Sequence, residues 1–186
     1  MAFLAKLNVR AVTLVLAWGL AFAAITGNTP AAETSREYSL KAVFLYNFCQ
    51  FIEWPETSFA SPTAPLIIGV IGDDPFGALL DETVQGEVLR GHPLRVERYR
   101  RSDDAGRCHL LFIPASEAGR AGSIVASLRG RSIVTVGESE GFLSQGGMIA
   151  LVTEGSRVRL RINQAPLRAA SLRVSSKLLR VADTSG

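Results

Sequence analysis

The first long element predicted by the hydrophobic pattern is a helix. Apolar side chains recur three and four residues apart, as on the buried face of an amphipathic helix. The spacing predicts a helix over residues 37–54, because Thr34 and Glu37 match a capping box at its start and Pro55 follows its end. Its predicted buried stripe consists of Leu40, Phe44, Phe48, Phe51 and Ile52.

Short apolar runs separated by helix-like segments follow. The predicted strands cover residues 66–72, 94–99, 108–113 and 132–136. Most of these runs are apolar throughout and bounded by turn residues, which is typical of strands buried in a parallel sheet. Helices are predicted between them, one starting at Asp74 and Pro75 and one over residues 118–128. This alternation indicates an α/β domain.

The C-terminal part has the pattern of a hairpin. Residues 148–153 and 157–163 are strand-like runs joined by Glu154-Gly155-Ser156, a sequence that favours a tight turn. A last helix is predicted from Pro166 onward, with a buried stripe of Leu167, Ala170, Val174 and Leu178. The sequence therefore predicts a single α/β domain over residues 34–181. Its sheet is mixed and partly parallel, ends in a C-terminal β-hairpin and is flanked by helices.

Residues 1–23 have the pattern of a cleavable secretory signal peptide. Lys6 and Arg10 precede an apolar run, and Ala21-Phe22-Ala23 forms an A-x-A cleavage site. Cleavage as late as residue 32 also fits the small residues there. The apolar run is shorter than the about 20 residues that a membrane-spanning helix needs. We therefore expect an exported protein that does not itself span the membrane.

The net charge gives little support to a nucleic-acid partner. Removal of Lys6 and Arg10 with the signal peptide lowers the formal net charge from +3 to +1. A nearly neutral exported protein lacks the basic surplus that attracts nucleic acids. We expect no nucleic-acid binding.

Candidate catalytic and metal-binding patterns are weak. Asp73 and Asp74 follow the first buried strand, at the edge where α/β domains bind ligands, and are therefore candidate contacts to a ligand or partner. The alternative is that Asp74 caps the next helix and Asp73 shapes the turn. Cys108 and His109 are adjacent on a predicted strand, so their side chains point to opposite faces and do not form a thiol–imidazole pair. With no paired spacing of cysteines or histidines, we expect no enzyme activity, metal or cofactor.

Several segments together resemble the YfiR family of periplasmic proteins. They are KAVFLYNF (41–48) with FIEWP (51–55), IGVIGDDPFG (68–77), GHPLRV (91–96), CHLLFI (108–113), GGMIALV (146–152), RVRLRIN (157–163) and SSKLLR (175–180). The resemblance implies a compact periplasmic α/β domain that can form a homodimer. It also implies a non-enzymatic protein that binds the periplasmic sensor domain of an inner-membrane diguanylate cyclase. Such a protein inhibits the cyclase, and its release raises cyclic di-GMP and favours biofilm.

The cysteines depart from the family pattern. Members of the family often pair the cysteine of the CH dipeptide with one in the preceding buried strand, where this chain has Gly69. The resemblance matches Cys108 to the first of these and leaves Cys49 on the first helix. Two alternatives remain open: a substituted disulfide between Cys49 and Cys108, or two reduced and buried thiols.

The site of partner binding has two alternatives as well. Trp54 is a candidate exposed anchor at the end of the first helix, unless it packs on the core. A hypothesis of another class is a small-molecule-sensing domain that feeds another membrane signalling system, with its ligand near Asp73, Asp74 and Pro114. A deep pocket there would favour the ligand, whereas an exposed apolar patch would favour protein binding.

Overall fold

A computed structural model describes residues 30–155 and 157–185, with side chains for residues 33–155 and 157–182. Contacts divide the chain into two units, residues 1–35 and residues 36–186. The second unit contains the α/β domain. The predicted signal peptide lies outside the described residues. None of the described helices is both long and apolar enough to cross a lipid bilayer.

The first helix, α1 (Pro30–Phe51), begins and ends earlier than the sequence predicts. Thr34 lies inside the helix, so the capping-box pattern does not mark its start. Pro30 stands in the first turn, where a backbone N–H has no partner within the helix and the missing N–H of proline therefore loses no hydrogen bond. The helix ends at Phe51 because the next two residues form a short strand, β1 (Ile52–Glu53), paired antiparallel with the C-terminal segment.

The buried stripe of α1 is also offset from the predicted one. Its buried positions are Lys41, Ala42, Leu45, Phe48 and Cys49. Leu40 is exposed, and Ile52 has left the helix for β1. Lys41 belongs to this buried face and reaches an acidic partner inside the domain, whereas the neighbouring Leu40 points outward.

A mixed sheet forms the centre of the domain. Its strands are β2 (Leu66–Ile71), β3 (Val88–Leu89), β4 (His92–Tyr99), β5 (Leu110–Ile113), β6 (Val134–Gly137), β7 (Ile149–Glu154), β8 (Arg157–Asn163) and β10 (Asp183–Ser185). Their order is β10-β8-β7-β6-β5-β2-β4-β3. The strands β4, β2, β5, β6 and β7 are parallel, and β7 and β8 form an antiparallel hairpin. The predicted α/β class, with a partly parallel sheet and a C-terminal hairpin, is confirmed.

The sheet separates two hydrophobic clusters. One of them, which we call the α1 cluster, includes Ala42, Leu45 and Phe48 of α1, and the other lies on the opposite face. Side chains alternate between the faces of a strand, so Leu110 and Phe112 of β5 pack in the α1 cluster, whereas Leu111 and Ile113 pack in the opposite one. The helix α2 (Ala78–Val84) contributes to the α1 cluster, and α3 (Ala121–Ser127) covers the other face. We call the edge where β2, β4, β5 and β6 begin the amino end of the sheet, and the opposite edge the carboxyl end.

The helix predicted to start at Asp74 begins only at Ala78. Asp74 Oδ1 instead accepts a hydrogen bond from the Phe76 N–H at 2.8 Å, which closes a turn ahead of the helix. Gly77, with φ +56°, makes the change of direction into α2. Asp74 therefore shapes the turn and does not cap the helix.

The predicted last helix is three separate elements. These are α4 (Gln164–Ala169), β9 (Arg173–Val174) and α5 (Ser176–Leu179). The helical path ends because Ser171 adopts φ +59°, a conformation outside the helical region. Val174 then pairs with Ile52 of β1, so β9 is tied to the end of α1.

Candidate functional site

A buried polar network at the carboxyl end of the sheet joins α1 to β5 and β6. Glu138 directly follows β6, and its side chain is 4% exposed; Lys41 on α1 is 2% exposed. The Lys41 Nζ lies 2.5 Å from Glu138 Oε2, and the Ala115 N–H donates to Glu138 Oε1 at 2.6 Å. Parallel neighbouring strands end at the same edge, which is why residues following β5 and β6 meet here.

Tyr38, Glu37 and Thr153 complete this network. The Tyr38 hydroxyl donates to Glu138 Oε1 at 3.3 Å, and burial together with the Glu138 charge raises the pKa of Tyr38 to about 12. Glu37 pairs with Lys41 and accepts a hydrogen bond from Thr153 Oγ1 at 2.6 Å. Burial alone would raise the pKa of Glu37, but the bonds from Lys41 and Thr153 hold it below its ordinary value. The network fastens α1 to the sheet, and its Tyr38 is protonated at neutral pH.

The two predicted acidic site residues differ in their surroundings. The Arg98 Nε donates to Asp74 Oδ2 at 3.0 Å, and its Nη2 donates to the Gly77 carbonyl at 2.8 Å. Arg98 also pairs with Asp81, and this hydrogen bond holds the pKa of Asp81 below its ordinary value. Asp73 is exposed. Asp74 is thus engaged within the domain, whereas Asp73 faces solvent.

Trp54 lies at the amino end of the sheet and is only 9% exposed. Its Nε1 donates to the His109 carbonyl at 2.9 Å, and its ring packs in the α1 cluster. Trp54 is therefore a core residue rather than the exposed anchor of the first hypothesis. It is separated from Asp73 and Asp74 by the length of the central strands, so the structure does not bring these predicted residues together.

An aromatic stack that the sequence did not predict lies beside Trp54. The Phe59 ring is stacked between His92, at 3.8 Å between centroids, and His109, at 4.4 Å. His109 Nδ1 accepts a hydrogen bond from the Ile67 N–H at 3.0 Å, while its Nε2 is buried with no hydrogen-bond partner. Burial, together with the nearby His92, lowers the pKa of His109. His92 starts β4 and His109 directly precedes β5, the two strands on either side of β2. This placement at the starts of two strands was the available signal that the histidines lie close together.

Three cavities of about 680, 590 and 620 Å³ surround the segment of residues 54–62. Trp54 and Glu56 line the first and third, and Phe59 and Ala60 line the first and second. These cavities lie at the amino end of the sheet. The ligand hypothesis had placed its pocket at the opposite end, near Asp73, Asp74 and Pro114, and none of those residues lines them.

Both cysteines are buried free thiols in the structure. Cys49 packs in the α1 cluster and Cys108 in the cluster on the other face of the sheet, where its Sγ donates to the Ala105 carbonyl at 3.1 Å. The sheet between them prevents their approach, so the structure has the arrangement of two reduced thiols. Burial raises the pKa of both thiols, that of Cys108 to about 12. Neither is an activated nucleophile.

The α1 face of the domain carries exposed apolar side chains. Leu40 and Val43, on the outward side of α1, are 44% and 46% exposed. Within the described residues, the only other large apolar side chains of this kind are Val88 and Val181. No cluster of three or more potential metal ligands was found among the described residues.

Comparison with known proteins supports the resemblance seen in the sequence. A family model described as YfiR/HmsC-like matches residues 38–183, from within α1 to the start of β10. No match was found among curated proteins. Members of this family are regulatory, non-catalytic proteins and are in general periplasmic. Because the match covers most of the chain, this protein belongs to the YfiR/HmsC-like family.

Proposed function

We propose that the mature protein is a periplasmic, non-enzymatic regulator that binds the periplasmic domain of an inner-membrane diguanylate cyclase and inhibits it. Family membership supports a regulatory role, because the family relates to a diguanylate cyclase regulatory system. Binding lowers cyclic di-GMP, and release of the cyclase raises it.

The observation that carries this proposal is the exposed apolar surface of α1. Leu40 and Val43 lie one turn apart on the helix and are each nearly half exposed. An apolar surface that a stable monomer leaves open is a common site of protein association. Lys41 fastens α1 to the sheet through Glu138, and Leu40 and Val43 lie on the outward side of the helix. The surface is therefore held in one orientation for a partner.

The polar groups of the domain support a role without catalysis. Lys41 and Glu138 are saturated by each other and by their neighbours, and both cysteines are buried with raised pKa values. His109 is covered by the Phe59 ring. These groups contribute to stability and shape.

The test is a gene deletion followed by measurement of cyclic di-GMP. Deletion should raise cyclic di-GMP, and the wild-type gene should restore the lower level. A variant with Leu40→Gln and Val43→Gln should fold normally, because glutamine is a good helix former, yet fail to restore it. The matched control is Val181→Gln, which also replaces an exposed apolar side chain, and should restore it fully. An unchanged level after deletion, with no cyclase crosslinked to the protein, would contradict the proposal.

The alternative function is small-molecule sensing, which the cavities around Phe59 favour. A cavity of about 680 Å³, lined by Trp54, Phe59 and Leu66 among others, has the size and partly apolar lining of a ligand site. Native mass spectrometry of protein purified from the periplasm tests this alternative. A bound small molecule that is lost in a Phe59→Ala variant would support sensing, and a ligand-free mass would oppose it.

A further inference from the structure

Six exposed arginines surround the amino end of the sheet. We call this surface the arginine edge, and its members are Arg90, Arg107, Arg129, Arg131, Arg168 and Arg173. Each of them lines one or more of the three cavities described above, or a fourth of about 360 Å³ beneath α3. The acidic residues among the lining of these cavities are Glu53 and Glu56. The edge therefore carries a surplus of positive charge.

This positive charge is not neutralised within the domain. Among the described residues, no member of the arginine edge forms an ion pair with an acidic side chain. Several arginines elsewhere do form such pairs, for example Arg98 with Asp74 and Arg120 with Glu117. Six unpaired cations thus stand together at one end of a domain with a nearly neutral total charge, where they attract an anionic partner.

Backbone carbonyls hold two of these side chains in place without neutralising them. Arg90 donates to the carbonyls of Gln50 at 2.8 Å and Ile52 at 3.1 Å, at the C-terminal end of α1. Arg131 donates to the Gly106 carbonyl at 3.2 Å. A guanidinium held by a carbonyl keeps further N–H groups free for a carboxylate, which it can bind with two parallel hydrogen bonds.

From this arrangement we infer that the arginine edge is a docking surface for an acidic segment of a partner protein. The surface is concave, because the arginines stand around clefts whose floors include Phe59, Leu66 and Ile133. Arginine beside aromatic and aliphatic side chains is the composition of protein-binding hot spots. A protein segment carrying carboxylates and apolar side chains can enter such clefts, whereas the flat surface of an anionic bilayer meets only their rims.

The arginine edge is separate from the surface proposed to bind the cyclase. Leu40 and Val43 lie near the middle of α1, on either side of Lys41, whose side chain reaches the carboxyl end of the sheet. Arg90 caps the other end of the same helix. The inference therefore stands whether or not the partner of α1 is a cyclase, and it gives the domain a second contact surface.

Charge reversal at the edge tests the inference on the mature chain. The edge variant carries Arg107→Glu, Arg131→Glu and Arg173→Glu. The matched control carries Arg95→Glu, Arg100→Glu and Arg157→Glu, which are exposed arginines that line none of these cavities and form no ion pair in the described structure. Both variants change the net charge equally. Thermal unfolding should confirm that both remain folded.

The probe is a fluorescent peptide of alternating glutamate and leucine, with a counterpart in which glutamine replaces every glutamate. Wild-type protein should bind the glutamate peptide and not the glutamine peptide. Binding should weaken about tenfold or more in the edge variant, which is the size of effect expected when interface arginines are lost. In the control variant it should weaken less than about twofold. Equal weakening in both variants, or no binding by wild-type protein, would overturn the inference. So would binding of phosphatidylglycerol vesicles, lost in the edge variant, without any binding of the peptide.

Discussion

Lys41 and Glu138, 97 residues apart in the sequence, form a buried ion pair with 2.5 Å between Nζ and Oε2. The pair joins α1 to the ends of two central strands, since Glu138 also accepts the Ala115 N–H. Lys41 lies on the buried side of α1, and Leu40 and Val43 lie on its exposed side. The buried contact thus fastens the helix that carries this exposed surface.

Replacement of Lys41 by methionine should destabilise the domain strongly. The variant leaves the carboxylates of Glu138 and Glu37 without their cation, and loss of one partner of a buried pair costs about 3–5 kcal/mol. The free energy of unfolding in urea measures the effect. The double variant with Glu138→Gln should recover part of the loss, because glutamine carries no buried charge.

The control for this prediction is the exposed pair of Arg159 and Glu154. Arg159→Met should change the free energy of unfolding by less than about 1 kcal/mol, as is usual for surface ion pairs. If Lys41→Met and Arg159→Met lowered the free energy of unfolding equally, burial would not strengthen the Lys41 contact.

Gly69 should not tolerate even one added methyl group. A Cβ there would lie 2.6 Å from Tyr99 Cε2 and 3.0 Å from Leu111 Cδ1, so the Tyr99 ring occupies the space of a side chain. Gly69→Ala should lower the free energy of unfolding by about 1–3 kcal/mol, the usual cost of overpacking a core. Gly119→Ala is the control, because nothing lies within 4 Å of its added Cβ. A Gly69 variant as stable as the Gly119 variant would contradict the close packing.

His109 should make folding stability depend on pH below about 6.5. Burial lowers its pKa from the ordinary 6.5, so the folded state binds the proton less readily than the unfolded state. The stability contributed by neutral His109 is full above pH 6.5 and is lost as the pH falls toward the lowered pKa. The slope for one proton is about 1.4 kcal/mol per pH unit.

Comparison with a His109→Asn variant isolates this contribution. In wild-type protein the Ile67 N–H donates a hydrogen bond to His109 Nδ1. The asparagine side-chain oxygen can accept the same bond, and asparagine does not titrate in this range. Denaturant unfolding at a series of pH values should show a flatter dependence for the variant than for wild type. Identical slopes for wild type and the His109 variant would refute the assignment.

Cys49 and Cys108 should be unreactive while the protein is folded. Both thiols are buried, lie on opposite faces of the sheet and have raised pKa values, so little thiolate forms near neutral pH. A thiol reagent such as DTNB should detect neither in native protein and both after denaturation. If the reagent detects neither thiol in denatured protein that has not been reduced, the two cysteines are joined in a disulfide.

The sequence predicted the six longer strands well because each carries its own signal, whereas the two- and three-residue strands β1, β3, β9 and β10 were not predicted. The apolar runs of β2 and β5 are bounded by turn residues, and the alternation in β8 is uninterrupted. Its errors occur where a distant contact overrides the local pattern. Val174 fits a helical stripe but pairs with Ile52, and Leu40 fits the predicted stripe of α1 but lies outside the face that packs on the sheet.

The candidate sites were less predictable than the fold. Asp74 and Trp54 were singled out as residues of suitable chemistry, but hydrogen bonds to Phe76 and His109 engage them inside the domain. The stack of His92, Phe59 and His109 joins three segments far apart in the chain, and no local pattern indicates it.

The sequence by itself determined the α/β class, the order of most elements and the resemblance to the family, because hydrophobic periodicity and short motifs are local. The tertiary structure decided the rotation of α1, the separation of the two cysteines and the gathering of six arginines at the amino end of the sheet. These features depend on which strand ends become neighbours. That is set by packing of the whole sheet, since charges and apolar groups distant in sequence contribute free energy only once folding brings them together.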